Sequence, residues 1–252
     1  VPEVISTKHE VLRTVERLVQ PTTILASTTS GISPSIIAQC LDIPERFIVT
    51  HYAQPAHLIE IVEVVLGEET SEQTAQAVEK LLSRTGKLPL RIGDVPGFLF
   101  ARLQYAILRE LIDLVDHGIV TAAACDELMK RGYAGRLTAM GPFEHVDLIG
   151  TDFAARLANT IWPSLSDRTS IIGSSLERLV AKGNLGVKSG QGYHDWQADP
   201  QGQQLTERRD EAVAYHLRRS ASPSTSQHAA TATSDGGTAV APADASGFIP
   251  DA

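Results

Sequence analysis

The sequence is poor in cysteine, has no long apolar run and carries no excess of positive charge. Only Cys40 and Cys125 occur among 252 residues, with no CxxC or metal-ligand spacing. That excludes a disulfide scaffold and a Cys-based metal site, and leaves two thiols that read as small buried hydrophobes in a reducing compartment. No apolar stretch approaches the roughly 18 residues that a membrane helix needs, and the first twenty residues are interspersed with charge. A soluble, cytoplasmic chain with no membrane partner is expected. Lys and Arg total 22 against 30 Asp and Glu, a net charge of −8, so the clustered cations that neutralise nucleic-acid phosphates are missing. A small-molecule ligand is the remaining expectation. What is present, 42% hydrophobic and 21% charged side chains, describes a globular chain large enough for two modest domains.

The order of patterns divides the chain. Residues 7–19 place Val11, Leu12, Val15, Leu18 and Val19 at helical spacing, with Ser6 as a candidate cap. Short β-rich runs follow at 22–27, 47–51, 59–66 and 88–92, separated by helical stretches at 35–39 and 70–83. Strands alternating with helices predict a parallel or mixed α/β sheet over residues 1–95, with ligands at the carboxyl ends of its strands. From Pro96 the pattern becomes helical: Leu99, Leu103, Ile107, Leu111 and Leu114 recur at helical spacing up to Gly118, a candidate C′ residue. Further helices are predicted over 121–131, 143–161 and 174–183, giving an all-α domain at 96–200, and a charged exposed helix at 201–219. Residues 220–252 are mostly Ala, Ser, Thr, Pro and Gly, and are expected to be a disordered tail.

Three residues stand where the predicted strands would bring chemistry together: Ser30 after the first, His51 at the end of the second and Glu63 within the third. A histidine held by a carboxylate can accept a proton and return it, while a nearby hydroxyl holds a substrate oxygen. Taken alone, each also has a structural reading: His51 as a strand-end histidine, for example, and Glu63 as a solvated edge acid. No metal site is expected.

The words ILASTTSGIS, RFIVTHYAQPAHLIEIVEVV, DVPGFLFARLQYAI, MGPFEHVDLIGTD and LGVKSGQGYHDW occur in one order from Val1 to about Trp196. Together they resemble the 3-hydroxyacyl-CoA dehydrogenases, with HYAQPAHLIEIVEVV and RLQYAI closer to the branch of L-gulonate 3-dehydrogenase. The resemblance implies the C-terminal part of a Rossmann-like NAD-binding domain followed by a helical domain that forms homodimers. It implies NAD as cofactor and oxidation of a 3-hydroxyacyl-CoA or short 3-hydroxy acid, with L-gulonate as an alternative substrate. His51 matches the catalytic base, Glu63 the carboxylate that orients it, and Ser30 the serine that binds the substrate hydroxyl and approaches the cofactor. Glu3, Lys8 and Lys188 match positions at the nicotinamide end, although capping, solvation or a turn explain them equally well, and Gln54, in place of the family's asparagine, keeps a cofactor hydrogen bond only by shifting. His57 reads as a surface residue, His117 as a partner of a helix dipole, and Glu144 and Asp147 as helix-start or interface residues.

Three departures from the family pattern bear on activity. The phosphate-binding GxGxxG turn does not occur in these residues. Because the sequence opens with Val1 at the end of an apparent strand, a preceding segment is expected, and these residues alone are expected to hold NAD poorly. Ala101 stands in the substrate pocket where the family has an asparagine, and Gln54 where it has another. Loss of one polarising donor costs roughly 10²- to 10³-fold in rate. A noncatalytic dimeric remnant is therefore the competing expectation.

Overall fold

The computed structural model describes residues 1–198 and 204–220; of the expected tail, all but Ser220 lies outside them. The chain opens with helix α1 (Ile5–Leu18), then β1 (Leu25–Ser27), α2 (Pro34–Ala38), β2 (Phe47–Tyr52), β3 (Ile61–Val65), α3 (Glu72–Arg84) and β4 (Leu88–Ile92). The four strands lie in sequence order. β1 pairs parallel with β2, β2 antiparallel with β3, and β3 parallel with β4, so the sheet is mixed.

Alternation along the strands sorts the apolar residues onto two faces. Phe47 and Val49 of β2 and Val65 of β3 join Leu25, Ile37 and Leu41 under α1 and α2, with Ile5, Leu12 and Val15 of α1 packed against them. Ile48, Val62 and Val64 point the other way, against Ala75, Val78 and Leu82 of α3. A buried ion pair ties α1 to the turn before β2. The Arg46 guanidinium lies 3.1 Å from Glu16 and also donates to the carbonyls of Gln20 and Thr23. Ser6 does not cap α1; Val4 occupies the N-cap without a side-chain bond, because the helix begins two residues earlier than the polar pattern suggests.

The helical region comprises α4 (Phe100–Asp116), α5 (Ala122–Leu128), α6 (Ala134–Leu137), α7 (Pro142–Ile149), α8 (Thr151–Ile161) and α9 (Ser175–Ala181), with α10 (Leu205–Ser220) beyond. α4 ends as its pattern predicts, with Gly118 at φ 70° and its N–H donating to Val115. The single helix expected over 143–161 is instead two, broken at Gly150. Its backbone, at φ 92°, is one that side-chain-bearing residues rarely adopt, and a Cβ there would meet the Asp152 carboxylate at 2.9 Å. Glu144 starts α7 by accepting from the Gly141 amide at 2.6 Å, the helix-start role anticipated for it. Polar ties hold α4 to α9. The Asp116 carboxylate accepts from the Ser175 amide at 2.9 Å and pairs with Arg168 and Arg178.

Candidate active site

The antiparallel register of β2 and β3 sets His51 directly opposite Glu63. Both face the side of the sheet that carries Val49 and Val65, and their side chains meet: His51 Nδ1 lies 2.6 Å from Glu63 Oε2, with both groups buried. The twelve-residue separation is thus the separation of two cross-strand partners joined by a short connection. Glu63 has a second task. Its Oε1 accepts the backbone N–H groups of Leu99 at 2.8 Å and Phe100 at 2.9 Å, the first turn of α4. These amides have no partner within their own helix, and a carboxylate at a helix N-terminus is favoured by its dipole.

The turn that aims these amides is strained. Gly97 and Phe98 both have positive φ, 78° and 52°, and for Phe98 this costs on the order of 1–2 kcal/mol. Burial of the Phe98 ring in the sheet core holds it there. That ring packs 5.4 Å from the His51 imidazole, and Phe100 meets the imidazole edge-on at 6.5 Å. His51 is therefore held by a carboxylate on one side and by aromatic rings around it. Its Nε2 has no hydrogen-bond partner among the described residues.

A second polar cluster forms at the end of β1. Glu3 accepts from the Thr29 hydroxyl and the Ser30 amide, and pairs with Lys8 Nζ at 2.9 Å. Burial would raise the Glu3 pKa, but the bonds from Thr29 and Lys8, the lysine charge and the Ser30 amide outweigh it and keep the carboxyl below its usual range. The Ser30 hydroxyl has no partner among the described residues. Glu3, Ser30, Gly31, Gly97 and Ala101 line one cleft of about 900 Å³, together with further residues of α4 and of the segment 168–176. The Gly97 N–H donates to the Gly31 carbonyl at 3.3 Å, so the same turn touches both clusters.

Not every candidate lines that cleft: the buried His51, Glu63 and Lys8 do not. Gln54 and His57 are exposed on the connection between β2 and β3 and line neither this cleft nor the adjoining cavity. Lys188 sits in a short turn after α9 and lines that second cavity, of about 510 Å³, among Leu111, Cys125 and Trp196. Thr29 and the amides of Leu99 and Phe100 were not legible as site groups. The run STTS offered several equivalent hydroxyls, and backbone donors leave no mark on a sequence.

Residues 1–95 match the family described as 3-hydroxyacyl-CoA dehydrogenase, NAD binding domain, and residues 97–196 its C-terminal domain. The chain is 36% identical over 193 residues to the 5-formyl-3-hydroxy-2-methylpyridine 4-carboxylate 5-dehydrogenase of Mesorhizobium japonicum, covering 76% of this chain and 62% of that protein. It is 34% identical over 197 residues to a probable 3-hydroxybutyryl-CoA dehydrogenase of Bacillus subtilis, covering 78% and 68%. It thus spans about two thirds of the length of these relatives. Among solved structures, an NAD⁺-dependent 5-formyl-3-hydroxy-2-methylpyridine 4-carboxylic acid 5-dehydrogenase superposes with a TM-score of 0.81 at 32% identity, covering 87% of this chain and 70% of that one. The (S)-3-hydroxybutyryl-CoA dehydrogenase PaaH1 of Ralstonia eutropha gives 0.60 at 28% identity, covering 78% and 68%. With both domain matches in sequence order and this fold beneath them, the chain belongs to the 3-hydroxyacyl-CoA dehydrogenase family.

Proposed function

We propose that the chain supplies the proton-transfer site of an NAD-dependent oxidoreductase that converts a 3-hydroxyacyl-CoA or a small hydroxy acid to the oxo compound. The observation that carries this is the buried His51–Glu63 contact with Nε2 left free. Glu63 accepts a hydrogen bond from Nδ1–H, which fixes the tautomer and leaves Nε2 as the base. The α4 amides stop Glu63 from turning away. As the hydroxyl proton passes to Nε2, the growing imidazolium charge is met by a carboxylate already in place. Ser30, with its hydroxyl unpaired at the cleft, is the donor for the substrate oxygen.

The residues at the end of β1 fit the nicotinamide end of NAD in their donor chemistry: a carboxylate, a free hydroxyl and a glycine without a side chain line a cleft of ligand-binding size. The chemistry that NAD would supply there is a hydride acceptor for the carbinol carbon. Ala101 offers no polar side chain, so the site polarises the carbonyl less than one with an asparagine would. The printed names of the relatives span a CoA thioester and a free pyridine carboxylate, and either substrate class is compatible with the base and the serine.

The partner we propose is a second copy of the chain. Phe143, Leu148 and Trp162 are each more than half exposed, and exposed large apolar side chains suit an interface. A dimer without turnover, the alternative reading, rests on this surface and on Ala101.

The test is His51→Gln, assayed with NAD and 3-hydroxybutyryl-CoA. The expected loss is about 10²- to 10⁴-fold in turnover with the fold intact. An unchanged rate removes His51 from the role, and a dimer that binds NAD and 3-hydroxybutyryl-CoA without turnover favours the noncatalytic reading.

A further inference from the structure

We infer that Arg109, on the cleft face of α4, receives an oxyanion group of the substrate, with Arg102 adding to its field. The inference rests on the oxidoreductase reading only in calling the ligand a substrate; the anion site stands on its own geometry.

Arg102, Tyr105, Ala106 and Arg109 are spaced three and four apart, which puts them on one face of α4, and all four line the 900 Å³ cleft opposite Glu3 and Ser30. The protein is acidic overall, at −8, yet the cleft wall carries Arg102, Arg109 and Arg168 against a single carboxylate, Glu3. Glu3 is already paired with Lys8, and Arg168 with Asp113 and Asp116. Arg102 donates only to the Pro96 carbonyl, at 3.2 Å. Arg109 has no hydrogen bond or ion pair with any described residue; Arg13, Arg17 and Arg84 share that, but of the four only Arg109 lines the cleft. A guanidinium left without a counter-charge in a cleft otherwise rich in apolar wall is a fork for a carboxylate or a phosphate. Such an anion has two sources: the free carboxylate of a hydroxy acid, or a phosphate of a CoA thioester.

Ligand-observed NMR titration of the chain separates them, using 3-hydroxybutyrate and coenzyme A as probes on the unsubstituted protein, Arg109→Ala, Arg109→Lys, Arg102→Ala and Arg84→Ala. Arg84 is an exposed arginine on α3, which does not line the cleft. Arg109→Ala is expected to weaken one probe about 10- to 100-fold. Arg109→Lys, which keeps the charge but loses the fork, should lie between, Arg102→Ala should weaken it less, and Arg84→Ala should leave affinity unchanged. Loss for 3-hydroxybutyrate assigns a carboxylate; loss for coenzyme A assigns a phosphate. Equal affinity in Arg109→Ala, an equal loss in Arg84→Ala, or no binding of either probe to the unsubstituted chain at millimolar concentration overturns the inference. Because the readout is binding, a turnover that survives His51→Gln would sink the proton-transfer reading without touching this one.

Discussion

The sheet region and the helical region solve the same problem in different ways. In the sheet region, helices cover both faces, and the side chains of Phe47, Ile48, Val49, Val62, Val64 and Val65 are fully buried. From α4 onward Ile112 and Cys125 are the buried hydrophobic residues among those described, while Phe143, Leu148 and Trp162 face outward, and ionic ties around Asp116 fix α4 against α9. A sheet flanked by its own helices closes its core within one chain. Helices without an opposing layer keep an apolar stripe that something else must cover.

Single substitutions can break or sharpen that contrast. The largest effect belongs to the closed core: Phe47→Ala should cost about 3–5 kcal/mol, read as a lowered denaturant midpoint. A loss under about 1 kcal/mol would mean that the sheet core is not the stable half. Next comes Glu16→Gln, which leaves Arg46 buried without its counter-charge and should cost roughly 3 kcal/mol in the same measurement.

The same pair predicts a pH dependence. Burial would raise the Glu16 pKa, but the amides of Asp42 and Ile43 and the Arg46 side chain prevail and lower it from 4.5. Its contribution is then complete above about 4.5 and drains away as pH falls through the lowered folded value. Acid titration of Glu16→Gln should show a shallower loss of stability in that window, and an identical slope would exclude the pair as its source. The smallest effect belongs to the open half: Phe143→Ala should change monomer stability by less than about 0.5 kcal/mol, yet shift sedimentation toward the monomer if this face joins two copies. A loss above 2 kcal/mol in a monomeric protein would show that the helical region is closed after all.

Legibility followed the range of the interaction. β4 runs from Leu88 to Ile92 as its pattern indicates, and α4 stops at Gly118 as its spacing requires, because both depend on neighbours within a few residues. The break at Gly150 is the exception: it is a local conformational choice, but hydrophobic periodicity runs through it and hides it. The pairing of His51 with Glu63 was accessible once their strands were taken as neighbours, but the anchoring of Glu63 by Leu99 and Phe100 was not. Those donors belong to the backbone of a turn 36 and 37 residues away. Lys188 shows the reverse case: its motif groups it with the residues at the end of β1, and the chain carries it into the wall of a different cavity.

The sequence by itself determined the alternation that faces two sides of a sheet, the change of period at Pro96, and which side chains could move a proton. Only the tertiary structure decided the antiparallel register that sets imidazole against carboxylate, the left-handed turn at Phe98 that lends that carboxylate two amides, and the lone guanidinium of Arg109 over the cleft. The reason is physical: periodicity is a property of adjacent residues, whereas register, strain and unpaired charge exist only between segments that folding has brought together.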